Sequence, residues 1–264
     1  LFRSGTPLLP ERHLGLVAAQ ELPDALQRLD AAADALAATP LGQLDASAWQ
    51  RWATPFAPPP PAAPLPPLLA GRTIAVARDA AFHFIYPANL RTLEQLGAQL
   101  VFFSPVAGDE LPACDALWLP GGYPELHAPA LAANERLRAQ LHAHVQAGKP
   151  LWAECGGLMA LCESLTLLDG TAHRLWGLLP AQARMQSRLA GLGPQQLTLP
   201  AGTLRGHSFH YAQCDSRLPA VAHSQRPGNG ANCEPLYQQG SVRASFFHPW
   251  FASDPRAAAS LFGG

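Results

Sequence analysis

One short stretch restricts the fold of this chain more than any other. The apolar run Pro150-Leu151-Trp152-Ala153 leads directly into Glu154-Cys155-Gly156-Gly157, and the residues from Leu158 to Leu165 follow at helical spacing. A run of four apolar residues is too short for a buried helix and reads as a strand buried on both faces. A strand that passes straight into a helix through two glycines is a βα unit, and βα units build parallel sheets. The same unit recurs upstream. Thr73 to Ala77 precedes a helical pattern from Tyr86 to Leu96 that Gly97 stops. Gln99 to Phe103 and Ala116 to Leu119 are further strand candidates, and Leu126 to Ala147 reads as helix up to Gly148. The predicted class is α/β: a three-layer sandwich around a mostly parallel central sheet. From Gly177 to His248 short strand-like pieces mix with many Gly and Pro, which predicts an antiparallel extension of the sheet.

The chain of 264 residues carries eight prolines between Pro55 and Pro67. Such a run forms neither helix nor central strand and predicts an extended linker. The expected organisation is residues 1–48, with a helix over Leu22 to Leu44, then a proline-rich linker at 49–70, then the main domain at 71–264. The chain opens at Leu1 without a methionine, which predicts a piece of a longer protein. Its formal charge of −1 gives no basic stripe for nucleic acid. No window of ~18 apolar residues predicts a membrane span. Five cysteines, an odd number without Cys-x-x-Cys, argue against a disulfide framework or a zinc site and for a reducing, cytoplasmic setting.

The chemistry is expected at the elbow. A sharp strand-to-helix turn lifts the Cys155 side chain above the sheet edge, and the helix N-terminus favours a thiolate. The N–H of Gly156 is placed to receive an oxyanion. Gly121 and Gly122, in Leu119-Pro120-Gly121-Gly122-Tyr123-Pro124, lie at the same end of another parallel strand, the edge where open α/β sheets bind ligands. A reactive thiol needs a base close in space. Among ten histidines, His248 follows an apolar pair and precedes a proline, and is the candidate. His127, His142, His144, His173 and His223 read as solvated, and His83 sits in the loop after the first strand. His207-Ser208-Phe209-His210 has a metal-like spacing but no third ligand, so no metal is expected.

Together these stretches resemble the glutaminase domain of the cobyrinate (or hydrogenobyrinate) a,c-diamide synthases. The resemblance rests on Ile74 to Phe82, Phe103 to Pro105, Gly121 to Glu125, Ala153 to Met159, Gly206 to Tyr211 and Ala244 to His248. Pro10 to Leu16 is similar to the end of that family's N-terminal synthetase domain. The resemblance implies a class I glutamine amidotransferase fold. It implies Cys155 as nucleophile, His248 as its base, and oxyanion donors at Gly121, Gly122 and Gly156. The partners implied are L-glutamine, a corrin macrocycle and the synthetase domain, with a homodimer allowed. ATP and Mg would serve the full-length enzyme and no cofactor this fragment, because Gly-x-x-x-x-Gly-Lys-Ser/Thr is absent. The sequence departs from the pattern at Trp250, where many class I glutaminases carry Glu, and at His83 and Ala88, which replace an Asn and a Glu. A cobyric acid synthase glutaminase and a non-catalytic scaffold domain are the alternatives.

Overall fold

The computed structural model describes Val17, residues 21–58 and residues 64–264. The segment Pro10 to Leu16 and residues 59–63 of the proline run lie outside the described residues. The chain divides into two compact units, Leu1–Ala63 and Pro64–Gly264.

In the first unit, α1 spans Ala25–Ala37 and α2 spans Ala46–Gln50. Helix α1 is shorter than its apolar periodicity predicts. It stops at Ala38 and gives way to a turn in which the Thr39 hydroxyl donates to Leu36 O, just before Pro40, which cannot continue a helix. Helix α2 starts where the Asp45 carboxylate accepts from the Ala48 N–H at 2.7 Å.

The second unit follows in chain order. It runs β1 Thr73–Ala77, α3 Pro87–Gln95, β2 Gln99–Phe103, β3 Ala116–Leu119, α4 Ala128–Ala133, α5 Glu135–Gln146, β4 Leu151–Glu154 and α6 Gly156–Leu161. Then come β5 Ser164–Thr166, β6 Ala172–Arg174, β7 Ala181–Met185, β8 Gly191–Leu199, β9 Gly202–His210, β10 Ala212–Ser216, β11 Ala222–Gln225 and β12 Asn232–Gln239. It ends with β13 Val242–Ser245, β14 His248–Trp250 and α7 Pro255–Ser260. A ten-stranded sheet has the order β14-β9-β8-β11-β12-β13-β4-β3-β1-β2. From β13 to β2 every pairing is parallel. From β12 outward every pairing is antiparallel, so the expected extension is as large as the parallel core. A second sheet, β10-β7-β5-β6, packs beside it.

Strand alternation makes the layers. Ala75, Leu117, Leu119, Leu151 and Ala153 point to one face and meet Leu131, Leu137, Leu141 and Leu158 of α4, α5 and α6. Ile74, Val76, Trp118 and Trp152 point to the other and meet Leu93 and Ala258 of α3 and α7. Burial on both faces is what near-continuous apolar strands require.

Two expected helices are broken. The pattern from Leu126 to Ala147 is a short 3-10 turn at Pro124–Leu126, then α4, then α5, with the break at Asn134. The Asn134 side chain accepts from Leu137 N at 3.1 Å and donates to Pro105 O, so a tertiary contact and a cap outweigh continuation. The pattern from Leu158 to Leu165 ends at Leu161 because the Trp176–Leu179 loop donates to Ala160 O, Leu161 O and Cys162 O, replacing the next turn. Leu165 then sits in β5, flanked by β6 and β7.

Candidate active site

Cys155 has φ 49° and ψ −108°, and among the described residues it alone of the non-glycines has positive φ. Strain of this kind costs on the order of 1–3 kcal/mol and persists only where the surroundings enforce it. Here the Cys155 N–H donates to Ser245 O at 2.9 Å, tying the elbow to the neighbouring parallel strand. The thiol is 4% exposed.

Glycines let three segments converge on it. A Cβ at Gly156 would lie 2.8 Å from Pro124 Cδ and 3.0 Å from Gly122 N, so the first turn of α6 and the Gly121-Gly122 loop touch backbone to backbone. A Cβ at Gly121 would collide with the His248 ring and lie 3.4 Å from Cys155 Cβ. The loop is braced from outside by Phe84, whose N–H donates to Gly121 O at 3.1 Å. All the residues expected at the site, Cys155, His248, Gly121, Gly122 and Gly156, are therefore neighbours.

His248 opens β14 and is 2% exposed. Its register partner is His207 on β9, and the two rings stack with centroids 5.1 Å apart and planes 15° from parallel. Behind it stands Asn89 of α3, fully buried. Its amide donates to Pro249 O at 2.9 Å and accepts from Phe251 N at 2.8 Å. That staple fixes the backbone on which His248 is carried. The sequence reading passed over Asn89, since an Asn inside a helix carries no signal of its distant partners.

Two acidic side chains face the imidazole. One is the Cys155 thiol; the other is Glu154, whose Oε1 lies 3.7 Å from His248 Nδ1. Burial opposes a charge on His248, but Cys155 and Glu154 outweigh it and raise its pKa to about 10. His207 goes the other way. Burial, then the charge of His248, lowers it to about 4. Trp250, in the position where a carboxylate was missed, is 52% exposed and lines a cavity of about 730 Å³ beside His248, together with Tyr86, Ala88, Arg91, Arg205 and His207.

The structure separates other expected groupings. His207 and His210, three apart on a strand, point to opposite faces. His210 instead meets Glu234, Nε2 to Oε1 3.1 Å. Among the described residues no group of three or more His, Cys, Asp or Glu could hold a metal ion. His144, expected in solvent, is buried against Pro150 O and the Cys114 sulfur, and burial lowers its pKa. His142, also expected in solvent, is half-buried with Nε2 on Trp176 O at 2.8 Å. His83 packs at ring contact with Phe84 and Tyr123, with Nδ1 3.0 Å from Ala80 O. All five cysteines are free thiols.

Comparison with known proteins gives the family. A family model, the CobB/CobQ-like glutamine amidotransferase domain, matches residues 73–256. The chain is 49% identical to the hydrogenobyrinate a,c-diamide synthase of Stutzerimonas stutzeri, over 96% of this chain and 57% of that protein. It is 47% identical to the hydrogenobyrinate a,c-diamide synthase of Pseudomonas aeruginosa, over 98% and 58%. It is 43% identical to the cobyrinate a,c-diamide synthase of Herminiimonas arsenicoxydans, over 96% and 57%. The chain thus spans little more than half the length of the curated relatives it matches. Among solved structures, PurLQS from Thermotoga maritima shares the fold, with a TM-score of 0.51 at 18% identity, over 73% of this chain and 92% of that one. On the match over residues 73–256, this chain belongs to the CobB/CobQ-like glutamine amidotransferase domain family.

Proposed function

We propose that this chain hydrolyses L-glutamine at Cys155 and supplies the ammonia to an ATP-dependent amidoligase. The amidated substrate would be cobyrinic or hydrogenobyrinic acid, at its a and c acetate side chains. The observation that carries the chemistry is the strained elbow at Cys155 meeting His248 and the Gly121-Gly122 loop. The substrate class is carried by the names of three relatives that are 43%, 47% and 49% identical.

In this reading His248 holds the proton taken from the Cys155 thiol, and the sulfur attacks the side-chain amide carbon as thiolate. The N–H groups at Gly122 and Gly156 receive the oxyanion. His248 returns the proton to the amide nitrogen, the C–N bond breaks, and ammonia leaves a γ-glutamyl thioester. Water attacks that thioester with its proton passing to His248, glutamate departs, and the proton returns to sulfur. The 3.7 Å contact between His248 Nδ1 and Glu154 Oε1 fits a site that tightens only when substrate binds.

Residues 1–48 are assigned to the end of a synthetase domain and 49–70 to a linker. ATP and Mg belong to that other half. The chain has no Gly-x-x-x-x-Gly-Lys-Ser/Thr loop, and this reading passes no step through ATP or a metal. Among the described residues no helix is long and apolar enough to cross a membrane. Free thiols fit the reducing cytoplasm.

The test compares the wild type with Cys155→Ala in a glutaminase assay and in labelling by a glutamine-analogue electrophile, followed by peptide mass. Equal activity, or label on another residue, removes Cys155 from the reaction. Offering corrin acids to the full-length enzyme and counting added amides by mass distinguishes the a,c-diamide product from that of a cobyric acid synthase.

A further inference from the structure

We infer that Glu154 is the positioning residue for His248: its carboxylate holds a proton on Nδ1 and so leaves Nε2 to serve the Cys155 thiol. The inference rests on the reading of Cys155 and His248 just given, and it supplies the group that Trp250 does not.

Glu154 is fully buried at the end of β4. A buried carboxylate is costly unless a positive charge or several donors compensate it. Its Oε2 accepts from Trp152 Nε1 at 3.1 Å, a neutral donor on the same face of the same strand. Its Oε1 makes no hydrogen bond, and neither does His248 Nδ1. These two buried atoms, both without a hydrogen-bond partner, lie 3.7 Å apart. Serving Trp152 alone would need only an uncharged acceptor, which a glutamine supplies equally well. The negative charge has a use only toward His248, and the pair closes to a hydrogen bond with a shift of less than ~1 Å.

The backbone explains how one imidazole meets two consecutive side chains. In a continuing strand Glu154 and Cys155 would point to opposite faces of the sheet. The positive φ of Cys155 breaks that alternation. Glu154 stays on the Trp152 face, Cys155 turns up at the sheet edge, and His248, brought in by β14, lies against both. His207 also faces the ring. Burial keeps it neutral to about pH 4, so it does not compete for the positive charge. Tyr86 stands behind His207, its hydroxyl 3.4 Å from Nε2, and burial, then Glu154 and Cys155, raise its pKa, so it too is uncharged at neutral pH. Glu154 is thus the carboxylate that partners the imidazolium.

The test is the pH profile of Cys155 alkylation by iodoacetamide, followed on the Cys155 peptide by mass, with thermal unfolding in parallel. In Glu154→Gln His248 loses an opposite charge worth about 1–3 pKa units at this range, and the rising limb is expected to move up by about one unit or more as the thiolate loses its imidazolium. At a pH below both limbs that is a loss of about tenfold or more. Glu154→Asp keeps the charge at greater distance and should fall between the two. An unchanged limb in Glu154→Gln overturns the proposal, even where the melting temperature falls, because a purely structural Glu154 would alter the melt alone. If His248→Ala leaves the profile unchanged, Cys155 and His248 do not work together and both readings fall. If only Glu154→Gln leaves it unchanged, the dyad stands and Glu154 does not act on it. Should Glu154→Gln not fold, the ¹⁵N shifts of His248 in the wild type decide. Nδ1 protonated at pH 7 supports the proposal, and Nδ1 without a proton overturns it.

Discussion

Gly121→Ala tests whether the site depends on close approach of backbone to ring. A Cβ at that position would fall inside the envelope of His248 Cε1, with Nδ1 at 3.2 Å and Cys155 Cβ at 3.4 Å. Restoring an ordinary carbon–carbon contact of ~3.5 Å requires the ring to retreat by about 1 Å. The ring has little room for that. His207 stacks on one side of it, and Asn89 holds the backbone at Pro249 and Phe251. Overpacking a tight site costs about 1–3 kcal/mol. A misplacement of about 1 Å in a catalytic group costs on the order of 100-fold in rate. The expected result is therefore a modest fall in stability, read by urea unfolding with tryptophan fluorescence. With it should come a fall on the order of 100-fold in labelling of Cys155 by a glutamine-analogue electrophile. Labelling within about threefold of wild type, at whatever stability, would refute the reasoning, because the ring would then have moved without consequence for the thiol.

Asn89→Ala removes a buried donor and a buried acceptor at once, so urea unfolding should show a loss of about 2–4 kcal/mol, with slower labelling of Cys155 as the His248 strand loosens. His207 has a folded pKa of about 4 against an ordinary 6.5. The unfolded chain then binds the proton first, so stability rises with pH across that window and is lost as pH falls toward 4. Melting temperatures at several pH values should show a shallower slope in His207→Gln. Glu234→Ala leaves the buried His210 ring without its polar partner, with an expected cost of about 1–3 kcal/mol in urea unfolding and no change in the rate of Cys155 labelling, since the pair sits apart from the thiol.

The sequence by itself determined the parallel core and the place of the thiol. Thr73–Ala77 and Ala116–Leu119 are strands as their composition demands, because a run apolar on both faces has nowhere to go but between two helical layers. Cys155 between an apolar strand and two glycines was readable as an elbow for the same local reason. Helix lengths were less legible. Asn134 and the Trp176–Leu179 loop end helices with hydrogen bonds from distant segments, and periodicity carries no trace of those. The base was legible only in part. Resemblance and a following proline singled out His248 among ten histidines, but what surrounds it was decided by the fold alone. Glu154, read as a flank of the nucleophile, faces His248 because a positive φ interrupts strand alternation there. His207, singled out only for its spacing from His210, stacks on His248 because β9 and β14 pair in that register. Asn89 reaches Pro249 and Phe251 across some 160 residues of chain. Local propensity and pattern settle the strands and the turn. The charge and orientation of the imidazole come from contacts that exist only once the sheet has closed over them.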